Sequence, residues 1–144
     1  AAFFAAGLLV PVGFELGFRR RLDVVQTGAD DWEEPHFDIQ DFVRDILSIK
    51  RSSRALSAEG HVVATTPLDR PTLVLDKSAG DDRALILINK DWHEAHDVDP
   101  RPHLGEMGSA PHRLLRPFVS GTEPEPTPEG PVRLEPAEVA VMVQ

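Results

Sequence analysis

Apolar positions along this chain fall into three textures. From Leu8 to Phe14 (LLVPVGF) they run without alternation, the pattern of a short strand buried on both faces, as in a parallel sheet covered by helices. Pro11 lacks a ladder donor, so it belongs at a bulge or a strand end. Before that run, alanine-rich Ala1 to Ala6 reads as the last turns of a helix, with Gly7 in the left-handed position just past its end. The second texture starts at Asp38. Ile39, Phe42, Val43, Ile46 and Leu47 recur at helical spacing and predict one apolar stripe through about Ser53. Asp38 is the expected N-cap, with Asp41 in a capping-box position, and Lys50, Arg51 and Arg54 lie in the last turns, where cations suit the helix dipole.

The third texture begins after Gly60. His61 to Thr66, Thr72 to Lys77, Arg83 to Asn89, Leu114 to Val119 and Glu138 to Val143 are short β-like runs separated by proline and glycine-aspartate turns. They predict an antiparallel sandwich. Glu15 to Phe37 and Asp99 to Pro111 read as loops. Gly121 to Pro131 (GTEPEPTPEGP) reads as an extended surface connection. No internal repeat is visible.

The fold class that follows is mainly β: an antiparallel β-sandwich over residues 58–144, preceded over residues 1–57 by the last strand and helix of a (β/α)8 barrel. A lone parallel strand with one helix cannot bury itself, so the first ~55 residues call for a sheet that this chain does not contain. The expectation is the C-terminal piece of a larger protein. Its first ~35 residues should self-associate or be partly disordered in isolation.

Charge narrows the partners. The formal net charge is −9, which argues against nucleic acid, since a phosphate backbone attracts basic surfaces. Arg19-Arg20-Arg21 is too short a cluster to reverse this. Cysteine is absent, so there is neither a disulfide framework nor a thiolate metal site, which is compatible with a cytoplasmic setting. Ala1 to Val10 lacks a basic leader and is too short to span a bilayer, so no membrane role is expected.

VPVGFELGFRRRLDVV, followed by DDWEEP and an amphipathic helix, resembles the last strand, last loop and last helix of the catalytic barrel in the alpha-amylase family. Within that family it resembles the maltosyltransferase branch, which transfers maltose from maltose 1-phosphate to an α-1,4-glucan. RALILINKDW resembles a strand ending in Asn that is common in the family's C-terminal domain, and LEPAEVAVMV resembles its final strand. The resemblance implies a parent acting on an α-1,4-glucan or maltooligosaccharide, with retaining chemistry. Such chemistry needs two carboxyl groups about 5 Å apart. The family carries its catalytic carboxylates on the fourth, fifth and seventh barrel strands, and none in this chain maps onto them. No catalytic residue and no cofactor is therefore expected here, and the fragment alone is expected to be inactive. The alternative is a non-catalytic carbohydrate-binding or structural β-sandwich module, whose mark would be an exposed aromatic platform.

The candidate substrate-binding residues are Glu15, Arg19, Arg20, Arg21 and Trp32. A glycine-flanked carboxylate after a buried strand is how an α/β barrel presents a side chain on its active face. Glu15 could bond sugar hydroxyls or pin its loop. The three arginines could hold a donor phosphate, or pair locally with Asp23, Asp30 or Glu33, with Asp23 orienting one of them. Trp32 could stack on a sugar ring or serve as a partly buried anchor. Trp92 is expected to pack in the core or at a domain interface, with stacking on a sugar as the other option. His93-Glu94-Ala95-His96 falls one residue short of the zinc-protease helix spacing, and in a strand its two histidines would diverge, so no metal site is expected. His36, His61, His103 and His112 show no ligand spacing. Gly13 and Gly17 do not form a dinucleotide fingerprint, because charged loop rather than helix follows them.

Overall fold

The computed structural model of the chain describes residues 2–20, 23, 25–107, 111–117 and 125–144, with the side chain of Glu106 outside that description. Among them lie eight strands and three α-helices. The centre is β3 (Asp82–Asn89), whose run Ala84 to Leu87 is buried throughout. A strand of this kind needs apolar cover on both faces, and it receives it. β2 (Thr72–Ala79) pairs antiparallel with one edge of β3, from Thr72↔Asn89 to Ala79↔Asp82. β8 (Val139–Val143) pairs with the other, from Ala84↔Val143 to Ile88↔Val139. β1 (His61–Ala64), β5 (Arg113–Leu115) and β6 (Glu125–Pro126) complete an antiparallel six-stranded sheet in the order β1-β2-β3-β8-β5-β6. β4 (His96–Val98) and β7 (Val132–Leu134) form a second, two-stranded sheet.

Alternation along β3 and β8 divides the interior in two. Leu85, Leu87, Ala140 and Met142 join Val98, Val132 and Leu134 of the small sheet, together with Met107 and Leu114. This is the sandwich core. Ala84, Ile86, Val141 and Val143 face the other way and meet Phe3, Ile49, Ala55 and Leu56. Each fully buried Leu or Ile contributes about 1.5–3 kcal/mol, so the central strands supply much of the driving force. The fold is mainly β, an antiparallel sandwich with helices on the outer face of its larger sheet.

α1 (Gln40–Arg51) and α2 (Arg54–Ser57) supply that outer layer. The stripe read from the sequence is the packing face: Ile46 and Ile49 enter the second core, while Phe42, Val43 and Leu47 are half-buried. The N-terminus of α1 differs from expectation. Ile39 occupies the N-cap position, and the Asp38 carboxylate accepts from the Gln40 backbone N–H at 2.9 Å. Asp41 forms no capping box and pairs with Arg44 one turn on. A boundary near residue 57 falls between α2 and β1, yet Phe3, Ile49 and Leu56 share one core with β3 and β8.

Several other expectations do not hold. Leu8 to Phe14 forms no strand, because no described strand offers it backbone partners; Leu9 is 89% and Val12 66% exposed. Ala2 to Ala6 makes turns and bends rather than helix, and Gly7 is absent from the positive-φ positions. The segment read as a loop from Asp99 carries α3 (Arg101–Leu104) and a 3₁₀ turn (Gly105–Met107), which bury Met107. β4 and β7 are only three residues long, too short to show a period. No helix among the described residues is long and apolar enough to cross a membrane.

Candidate functional site

Glu15 sits in a 3₁₀ turn, Phe14–Leu16, between Gly13 (φ 83°) and Gly17 (φ 69°). Both glycines adopt the left-handed conformation that other residues resist. A Cβ at Gly13 would also fall 2.3 Å from the Phe18 ring, and one at Gly17 2.5 Å from Phe37. The turn is bolted to the start of α1: Ile39 N–H donates to the Glu15 carbonyl at 2.9 Å, and His36 N–H to Leu16 at 3.0 Å. The Glu15 side chain is half-buried, and its carboxylate has no hydrogen-bond partner among the described residues.

Arg19 and Arg20 follow, both exposed. The expected local pairing of their guanidinium groups is not what forms. Glu33 instead accepts from their backbone N–H groups, from Arg20 at 2.7 Å and from Arg19. The Arg20 amide and, beyond it, Arg19 and His36 hold the Glu33 carboxyl below its ordinary range. Among the described residues neither guanidinium enters an ion pair. Among the described residues Asp23 orients no arginine either. Its carboxylate caps the N–H groups of Val25 at 2.8 Å and Gln26 at 2.9 Å, which lower its pKa. Arg21 lies outside the described residues.

Arg20, Asp23 and Trp32 line a concavity of about 750 Å3 whose apolar wall includes Leu9, Val12 and Phe18. Trp32 is 54% exposed and meets Phe18 edge to face, with ring centroids 6.0 Å apart. The groove therefore combines a cation, a carboxylate and an indole over an apolar floor. Of the five candidates, Arg20 and Trp32 share this groove, Glu15 occupies the adjoining turn, and Arg19 lies outside its lining.

Two features went unread in the sequence. Lys50 and Lys77 are buried, with Lys77 only 1% exposed. The Lys50 ammonium donates to the carbonyls of Ala2 (2.9 Å), Leu56 (2.7 Å) and Ala5, while Lys77 reaches those of Phe3 and Leu56 at 3.4 Å. Burial pushes both lysine pKa values down, and for Lys77 the Lys50 charge adds to it. These two cations tie the chain's start to α2 and the sheet. A lysine in the last turn of a helix reads as a solvated dipole partner, so nothing in the spacing signalled the clamp.

The second is the turn after β3. Asn89, 1% exposed, donates from Nδ2 to the carbonyls of Glu94 (2.8 Å), Glu135 (2.9 Å) and Leu134 (3.3 Å), and accepts from Asp91 N–H at 3.0 Å. The Asp91 carboxylate accepts from His93 and Glu94 N–H and faces His96 Nε2 at 3.0 Å, with its pKa lowered to about 2, chiefly by His96. Asp91, Glu94 and His96 bring one potential metal-ligand atom each within 4.8 Å of one another, but both Asp91 oxygens already serve the turn. Trp92, expected in a core or interface, is 78% exposed at the tip.

No protein-family model matches the chain. It is 28% identical over 134 residues to the alpha-1,4-glucan:maltose-1-phosphate maltosyltransferase of Burkholderia pseudomallei, a match covering 86% of this chain and 12% of that protein. Among solved structures, a MutB mutant from crystals soaked with trehalulose aligns at TM-score 0.47 with 16% identity, over 70% of this chain and 17% of MutB. An AmyP variant in complex with maltotriose aligns at TM-score 0.47 with 14% identity, over 70% of this chain and 19% of AmyP. The resemblance to the C-terminal part of alpha-amylase family proteins, in the maltosyltransferase branch, is borne out by the first of these relatives.

Proposed function

We propose that this chain is the C-terminal region of a retaining glycosyl transferase or hydrolase acting on α-1,4-glucan or maltooligosaccharide in the cytoplasm, with the catalytic carboxylates supplied by the rest of the parent protein. The observation that carries this reading is the similarity to a maltosyltransferase over nearly the whole chain. In this reading residues 1–57 complete a catalytic barrel and residues 58–144 form the β-domain that covers it. The exposed apolar run from Leu8 to Val12 supports it, because an unpaired extended segment of that composition gains most by acquiring strand neighbours. Exposed as it is, the same run is a site for association between copies when the chain is alone.

The groove then has a role on the donor side. Arg20 suits the phosphate that leaves a sugar 1-phosphate, Trp32 suits the pyranose face, and Glu15 suits a sugar hydroxyl. The test is turnover of maltose 1-phosphate by the full-length protein with a maltooligosaccharide acceptor, read as phosphate release. Arg20→Ala should raise KM for the phosphorylated donor by about tenfold or more while changing binding of plain maltose little. Equal losses for both sugars would remove the phosphate role. Glu15→Gln should lower kcat; unchanged kinetics would take Glu15 out of the site. Turnover by the 144-residue chain alone would overturn the placement of the catalytic carboxylates elsewhere.

A further inference from the structure

We propose that Lys50 and Lys77 form a one-proton latch: as pH rises Lys77 gives up its proton without releasing a carbonyl, and the start of the chain docks more tightly on the sheet. The inference goes beyond the glucan reading and does not rest on it. Its basis is the number and length of the contacts. Lys50 Nζ meets three carbonyls, those of Ala2 at 2.9 Å, Leu56 at 2.7 Å and Ala5. Lys77 Nζ meets two, those of Phe3 and Leu56, both at 3.4 Å. Both nitrogens therefore lie against the one Leu56 oxygen.

Two ammonium groups bring six hydrogens to these five contacts. One ammonium and one amine bring five, so the first proton to leave costs no contact, and a second would leave a carbonyl bare. Geometry decides which lysine yields. Lys50 uses all three of its hydrogens, at lengths usual for a charged donor. Lys77 has only two partners, both beyond that range, and is 1% exposed, so its charge recovers least of its lost hydration. Burial lowers the pKa of both groups, and the Lys50 charge lowers that of Lys77 further.

The charged groups on the surrounding elements do little to oppose this. Arg51, Arg54 and His61 are exposed. Asp76, one position before Lys77 on β2, belongs to the other face of the sheet and pairs with Arg83 at 3.3 Å. Glu59 supports the Lys77 charge, but from an exposed position where water screens it. Undocked, Lys77 returns to water and to an ordinary value of 10.5. Between its docked value and that one, docking releases a proton, so docking strengthens by up to tenfold per pH unit as pH rises. Below the docked value both forms are charged and the linkage vanishes. The same arm carries Glu15, Arg20 and Trp32, so the latch sets how firmly the groove is presented.

The chain holds three lysines, which makes their 13Cε NMR signals a specific readout. In the chain acetylated at Ala1, Lys77 should lose its proton below pH 10.5 and before Lys50 does. Pulsed hydrogen exchange of the amides of residues 3–6, divided by their unstructured rates, should slow by up to tenfold per pH unit between the Lys77 and Lys50 midpoints. Lys77→Met should stay docked through Lys50 and lose that pH dependence. A Lys77 signal that remains ammonium up to pH 10.5, or that titrates after Lys50, would overturn the latch whether or not the variant folds. A pH slope retained in Lys77→Met would overturn it as well.

Discussion

The arm of residues 2–37 and the β-domain of residues 61–143 carry similar apolar residues and put them to opposite ends. Eight of the twelve exposed large hydrophobic side chains among the described residues lie within the arm, from Phe4 to Phe37. In the β-domain, β3 buries Ala84 to Leu87 and β8 buries Ala140 to Val143, because pairs such as Leu85↔Met142 and Ile86↔Val141 meet a covering layer on each face. Apart from Phe3, which joins the second core, the arm is held by directed contacts: two lysine ammonium groups, the Gly13–Gly17 turn and the Glu33 clasp. Hydrophobic composition states what a segment can bury. Whether it does so depends on neighbours within hydrogen-bonding reach.

Mutations can sharpen this contrast. The largest effect should come from Leu87→Ala, which opens a cavity in a fully buried position and should cost about 2–5 kcal/mol in urea unfolding. Next is Asn89→Ala, which strands the Glu94, Leu134 and Glu135 carbonyls. It should cost roughly 1–3 kcal/mol and alter Trp92 emission in the Trp32→Phe background. Lys50→Met tests the arm alone. It removes three carbonyl contacts and should speed hydrogen exchange in the arm by about tenfold or more, with little change in the global midpoint. If the midpoint falls in parallel with the exchange, the clamp belongs to the core and the contrast breaks.

A pH titration gives a smaller signal. The Asp91 carboxyl is lowered to about 2, so the stabilisation it gives is complete above its unfolded value near pH 4 and is lost as pH falls through about 2. Asp91→Asn should flatten this acid limb, read from Trp92 emission. The smallest effect is expected at the arm's tip. Leu9→Ala should change the unfolding free energy by no more than about 0.5 kcal/mol, since Leu9 is 89% exposed.

Legibility in the sequence followed pattern length. β2, β3 and β8 could be read because they run five to eight residues and carry apolar stretches bounded by turn residues. α1 was legible from its stripe, to within two residues of its start. β4 and β7 were not, since three residues define no period and their pairing is with each other across a long stretch of chain. Leu8 to Phe14 was legible as an apolar run but not as to whether partners would reach it. In the groove, Arg20 and Trp32 could be picked by residue type, while Glu33 closing on backbone N–H groups and the Lys50–Lys77 clamp depend on tertiary approach that spacing does not encode.

Because the larger sheet is apolar on both sides, a slip of β3 by one residue would not push oily side chains into water, the usual safeguard against misalignment. It would instead exchange the contents of two compartments, sending Leu85 and Leu87 toward the helices and Ala84 and Ile86 toward the small sheet. Volume alone punishes that error weakly. Asn89 supplies the missing penalty. Its amide fits one polar socket at the strand's end, so a displaced β3 would carry that amide into hydrocarbon and leave three carbonyls bare. One buried amide thereby acts as the ruler that fixes the alignment of the central strand.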